Sequence, residues 1–151
     1  MPIYVRWLVE NQVMLVHMVG TIDANDVLAY LERSFEMRDQ ANEVNGVNGP
    51  LVHTISDTSA ITQQNIDLKT AQKIMKSLKS QKIGWSLYVS TDRVQIFFSS
   101  LAHQFGGIRF KPFSTIEDAL DFLREANDQL DEALGSDYEL GIIESARVEG
   151  T

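Results

Sequence analysis

The sequence has no cysteine, only three prolines in 151 residues, and no apolar run near the ~18 residues of a membrane-spanning helix. The missing thiols exclude a disulfide framework, zinc–thiolate sites, thiol redox chemistry and a cysteine nucleophile. The short apolar runs point away from an integral membrane protein. Met1-Pro2-Ile3-Tyr4-Val5-Arg6 has no signal-peptide character, so a cytoplasmic location is expected. Basic charge is scarce as well, with 13 Lys and Arg against 21 Asp and Glu, a net charge of −8. Residues 117–151 hold eleven of the acids and two of the bases, which leaves the preceding part near neutrality. Such a distribution repels phosphate backbones, and nucleic acid is not expected as a partner. Walker A, a dinucleotide glycine fingerprint, a nucleophile elbow and a His-Glu-x-x-His helix are all absent.

Hydrophobic residues make up 44% and charged residues 23% of the chain, the balance of a globular domain. A domain of this length buries about 70% of its unfolded surface and needs no staple. Ile3 to Val9 alternates as a strand, and Glu10-Asn11 is a turn into a second strand, Val13 to Val19, apolar on both faces. Gly20 ends that hairpin, and Thr21 or Asp23 caps a helix from about Ala24 to Gln40 with Val27, Leu28, Leu31 and Phe35 inward. A third strand runs Leu51 to Ser56 and ends at Asp57, and Thr58 to Gln64 reads as a polar connection of unusual length. A helix from about Ile66 to Ser80 follows, then a fourth strand, Gly84 to Val89. Ser90-Thr91-Asp92 caps a third helix carrying Val94, Phe97, Phe98, Leu101 and Phe105, which Gly106-Gly107 terminates. Ile108-Arg109-Phe110 is a short edge strand stopped by Pro112, and Ser114 or Thr115 caps a last helix with Ile116, Ala119, Leu120, Leu123 and Leu130 inward.

The expected fold is therefore α/β, a single five-stranded mixed sheet in the order ββαβαβαβα, with an N-terminal hairpin and the remaining strands parallel. The domain is expected to span residues 1–134, followed by an acidic tail, 135–151. In that tail Leu140-Gly141-Ile142-Ile143 is apolar enough to dock on the body or on a second subunit. Lys69, Lys73, Lys76 and Lys79 share a helix arc of roughly 120° and read as its wet side. His17 and His53 lie on neighbouring strands and His103 on the third helix. No carboxylate is spaced to complete a metal site with the strand pair, so the reading is sheet histidines in partly polar pockets, with no metal and no cofactor. Trp7, Trp85, Phe97, Phe98, Phe105, Met14, Met18 and Met75 read as core.

The chain resembles the SpoIIAA-like domains, whose fold is shared by STAS domains and CRAL-TRIO lipid-transfer proteins. The residues behind this are the hairpin leading to Gly20-Thr21-Ile22-Asp23, the strand end Ser56-Asp57-Thr58-Ser59, and the segment Ile108 to Leu123 with its phenylalanine-bearing turn and alanine–leucine helix. The resemblance covers about residues 3–126 in order of elements. In the anti-sigma-factor antagonists among STAS domains, a serine in an Asp-Ser-Ser-Gly-like turn is phosphorylated. Asp57, Thr58 and Ser59 match the first three positions of that turn and form a candidate phospho-switch at a helix N-terminus. Ala60 replaces the glycine, and Ile61-Thr62-Gln63-Gln64-Asn65 intervenes before the helix. CRAL-TRIO proteins enclose lipid, which implies a ligand pocket. Its expected place is between the Thr58–Gln64 connection and the start of the third helix, with Ser90, Thr91 and Arg93 able to hold an anion.

The function expected from this is a non-enzymatic regulatory or protein-interaction domain of a bacterial cytoplasm. A protein partner, or self-association through the first helix, the edge strand or the tail, would go with it. The alternative is a carrier or sensor of a small apolar or amphipathic ligand, and an enzyme ranks third.

Overall fold

In the computed structural model, residues 3–76 and 82–126 are described, Phe105 by its backbone only. The elements run β1 (Ile3–Val9), β2 (Val13–Asp23), α1 (Ala24–Asn45), β3 (His53–Asn65), α2 (Leu68–Lys76), β4 (Ser86–Val89), α3 (Arg93–Gly106), β5 (Phe110–Phe113) and α4 (Ile116–Ala126). The five strands form one sheet in chain order, β1-β2-β3-β4-β5. β1 pairs antiparallel with β2, and every later pair is parallel. The expected mixed sheet is present. The 1–134 limit, the tail 135–151, Lys79 and Leu130 lie outside the described residues.

Local chemistry sets the element ends. Asn11 turns the first hairpin with φ 63°, the left-handed conformation that asparagine tolerates. Asp23 caps α1 by accepting from Asp26 N–H at 2.9 Å, and the Asp26 carboxylate accepts the Asp23 N–H in return. Asp92 caps α3 through the N–H groups of Val94 and Gln95. Gly107, left-handed at φ 65°, closes that helix. The Thr115 hydroxyl caps α4 at Asp118 N–H.

Three crossovers of one hand that step in one direction place their helices on one sheet face. α1, α2 and α3 accordingly share a face, and α4, which follows the last strand, covers the other. On the α4 side Val13, Leu15, Ile55, Leu87 and Val89 close against Ile116, Ala119, Leu120 and Leu123, each at most 2% exposed.

Several boundaries differ from the sequence expectation. β2 does not stop at Gly20 but continues to Asp23, with Gly20 (φ 75°) at a register shift. Thr58 to Gln64 is not a connection: β3 continues through it to Asn65, held by the long β2. β5 lies slightly later than expected and contains Pro112. The carbonyls of Arg109 and Phe113 accept from β4, so Pro112, out of that alternation, turns its missing N–H to the free edge. Leu28 and Phe97, expected inward, are exposed, Phe97 at 66%, and so is Val94 at 77%. The Phe105 side chain lies outside the described residues.

Candidate ligand cavity

On α1 the inward stripe is Val27, Leu31, Ser34, Arg38 and Ala41, at steps of three and four residues. Two of its positions are polar, and Ser34, Arg38 and Ala41 are the buried residues of the helix. On the sheet face beneath, β3 presents Thr54, Ser56 and Thr58, and β4 presents Ser86 and Tyr88 in register with Thr54 and Ser56. α2 and α3 complete the walls with Ile74, Met75, Phe98 and Ala102. Short hydroxyl side chains at the sheet centre cannot fill the space that aliphatic residues fill on the α4 side. A cavity of about 150 Å³ remains between the sheet and α1–α3.

Arg38 lies at the polar end of this cavity. Its side chain reaches inward from α1, and the residue is 5% exposed. Nη2 donates to Thr54 Oγ1 at 3.2 Å, and Nε is buried with no hydrogen-bond partner. Burial lowers the Arg38 pKa, while Tyr30 and the exposed Asp39 act in the opposite direction. The guanidinium nevertheless remains a cation at any ordinary pH. The Tyr30 hydroxyl, facing Ser34 and Arg38, has its pKa raised by burial.

Ser86 and His103 meet at another wall. A carbonyl can only accept, so the 2.6 Å contact of His103 Nδ1 with the Ser99 carbonyl places the ring proton on Nδ1. Nε2 then accepts from Ser86 Oγ at 3.0 Å. This is the layout of a hydroxyl nucleophile beside an oriented base. Burial, however, lowers the His103 pKa to about 4, only partly opposed by its bond to Ser99. A base with that pKa is about a thousandfold weaker than one poised near neutrality. The bond also ties β4 to α3.

The candidate switch residues occupy a different setting from the one expected. Between the pairs His17–Asp57 and Val19–Ala60, β2 has one residue, Met18, and β3 has two, Thr58 and Ser59. Asp57-Thr58-Ser59 thus lies at a β-bulge inside a strand and not at a helix N-terminus. The bulge sorts the three side chains. Thr58 faces the cavity and donates to the Val89 carbonyl at 2.7 Å. Ser59 is exposed, and its hydroxyl donates to Asp57 Oδ1 at 2.6 Å. Asp57 is fully buried on the α4 side, its Oδ2 3.3 Å from His17 Nδ1. The carboxylate stands between hydroxyl and imidazole, so the imidazole is not the acceptor for the serine proton.

His17 and His53 share the α4 side of neighbouring strands, but His53 pairs with Val13, four residues before His17. That offset separates them by about 13 Å along the strand. His53 accepts the Trp85 N–H at 2.9 Å, and its pKa is lowered to about 4 by burial and by the Arg109 charge. No group of three His, Asp or Glu residues among the described residues is arranged to hold a metal ion. Ser90, Thr91 and Arg93 do not line the cavity. Ser90 is buried and accepts the Asp92 N–H, while Thr91 and Arg93 face solvent. Of the expected pocket position, Thr58 and Gln64 do border the cavity, joined by the middle of α3 and not its start. Sequence reasoning missed Arg38, Thr54, Ser56, Ser86 and His103 as a set. The signal was available, since Thr54-Ile55-Ser56 and Ser86-Leu87-Tyr88 alternate in strands covered on both faces, where continuous apolar runs are the rule.

No family model matches the sequence, and no curated protein matches it. Among solved structures, an uncharacterised DUF3478-family protein with a SpoIIAA-like fold from Shewanella loihica PV-4 is similar, with a TM-score of 0.51 at 19% sequence identity. The match covers 80% of this chain and 91% of that one. The chain has a SpoIIAA-like fold. No helix among the described residues is long and apolar enough to cross a membrane.

Proposed function

We propose that this chain is a non-enzymatic binding domain that holds a small amphipathic molecule between its sheet and α1–α3, as a carrier or as the sensing part of a regulatory protein. The observation that carries the reading is the cavity itself, with a hydroxyl and guanidinium floor under aliphatic walls. Its size sets the ligand. A cavity of about 150 Å³ holds a molecule the size of benzene, whereas drug-sized ligands take about 300–1,000 Å³. The ligand is then a molecule of about six to ten heavy atoms, too small for a long-chain lipid. α3 offers a route to a protein partner, since Phe98, Ala102 and His103 line the cavity while Val94 and Phe97 stand one turn apart in solvent. Native mass spectrometry of the untagged protein from cells tests this reading. It should show added mass of about 80–160 Da per chain, in keeping with six to ten heavy atoms. A protein that carries no added mass, and whose melting temperature no small amphipathic compound raises, would sink the reading.

A second input is supported by Ser59, which is exposed and bonded to the buried Asp57. A phosphate there adds about −1.5 to −2 charge beside a carboxylate and removes the bond at the bulge whose next residue, Thr58, walls the cavity. Ser59→Asp is expected to change partner capture or subunit number, read by pulldown and light scattering. A variant indistinguishable from wild type in both would remove the switch.

A further inference from the structure

We propose that the cavity's ligand is a small monocarboxylic acid whose carboxylate pairs with Arg38. This rests on reading the cavity as a ligand site and adds the chemistry of the head group. Of the five N–H donors of the guanidinium, the Nη2 bond to Thr54 is a hydrogen bond to a neutral hydroxyl. No Asp or Glu among the described residues forms an ion pair with Arg38, so its charge borders the cavity with no counter-charge. Buried charges are as a rule paired, because the low-dielectric interior does not replace lost hydration. A carboxylate in the cavity supplies what is missing, a single negative charge with two oxygens matched to the planar fork of the guanidinium. The facing hydroxyls of Tyr30 and Ser34 border the same end of the cavity.

Charge count selects a carboxylate over a phosphate ester. Among the described lining residues Arg38 is the one Lys or Arg, and His103 is neutral at ordinary pH. One fixed positive charge balances a monoanion and leaves a phosphate dianion half-neutralised in a mostly apolar space. Beyond the head group the walls are Ile22, Val27, Leu31, Ile74, Met75 and Phe98, which suit a short alkyl chain or a single ring.

Isothermal titration of the full-length protein at pH 7.5 tests this with two matched pairs, hexanoate against hexanamide and benzoate against benzamide. Each pair has the same number of heavy atoms, and the charge differs. Wild type should bind at least one of the acids about tenfold or more tightly than its amide, the margin of a charge-assisted, bidentate pair. Arg38→Met should lose that preference, the acid no longer binding more tightly than its amide. Equal affinity for acid and amide in the wild type, or a preference that survives Arg38→Met, would overturn the carboxylate and leave the cavity as a ligand site. Failure of acids and amides alike would overturn the carboxylate, and the cavity reading would fall with it only if the untagged protein also carries no added mass and no small amphipathic compound raises its melting temperature. If Arg38→Met does not fold, carbon-13 NMR of carboxyl-labelled benzoate on wild type gives the answer. The bound acid should titrate below the free acid, and an unchanged or raised value would overturn the pairing.

Discussion

The two faces of the sheet are built from the same strands and have opposite character. Within β3 and β4, Ile55, Leu87 and Val89 point to α4 and are buried against Ile116, Leu120 and Leu123. Their immediate neighbours Thr54, Ser56, Ser86 and Tyr88 point the other way, to a cavity with a buried arginine. A period of two normally separates core from water. Here it separates a closed core from a polar interior that is also covered by helices. The α4 face provides stability. The α1–α3 face gives up part of that stability to keep space.

Matched truncations would test this contrast most directly. Leu120→Ala on the α4 face should cost about 3–4 kcal/mol, since the side chain is fully enclosed. Leu31→Ala, which only enlarges existing space on the cavity side, should cost about 1–2 kcal/mol. Urea unfolding of the two variants gives the comparison, and equal losses would mean that the faces are not different in packing.

Acid should act more gently and on both faces. His53 on the α4 side and His103 at the cavity both have folded-state pKa values lowered to about 4, against an ordinary value near 6.5. The unfolded chain therefore binds more protons than the folded one between these values. The stability that the two neutral imidazoles contribute is complete above about pH 6.5 and is lost as pH falls toward 4. The urea midpoint should decline across that window, and replacing either histidine by glutamine should make the decline shallower. A flat profile would show that neither imidazole is held neutral by its surroundings.

Much of the scaffold was legible in the sequence because it rests on local chemistry. Asp23 was one of two cap candidates for α1, Ser90-Thr91-Asp92 held the cap of α3 and Gly106-Gly107 its terminator, and Pro112 marked an edge strand, although it lies within that strand and does not stop it. The bulge at Thr58 and Ser59 was not legible, because a run of polar residues in a strand looks the same as a loop until the long β2 is known to pair with it. Arg38 was missed for a related reason. Helical periodicity was sought among apolar residues, so Leu28 and Phe35 were assigned inward while the inner stripe ran through Ser34 and Arg38. Phe97 was placed in the core by residue type, yet α3 turns its small residues Ser99 and Ala102 to the interior.

The strand order β1-β2-β3-β4-β5 also has a consequence for how the chain comes together. Each strand hydrogen-bonds to the strand made just before it, so no gap has to be held open for a later segment to insert. Pairing can follow synthesis from the N-terminus, since each crossover joins strands that are consecutive in the chain. α4 is the exception. It is the last described element, and it covers the more apolar of the two faces. Until it emerges, Leu15, Ile55 and Leu87 are open on one side, and this is when the nascent protein is most exposed to aggregation and to chaperone capture.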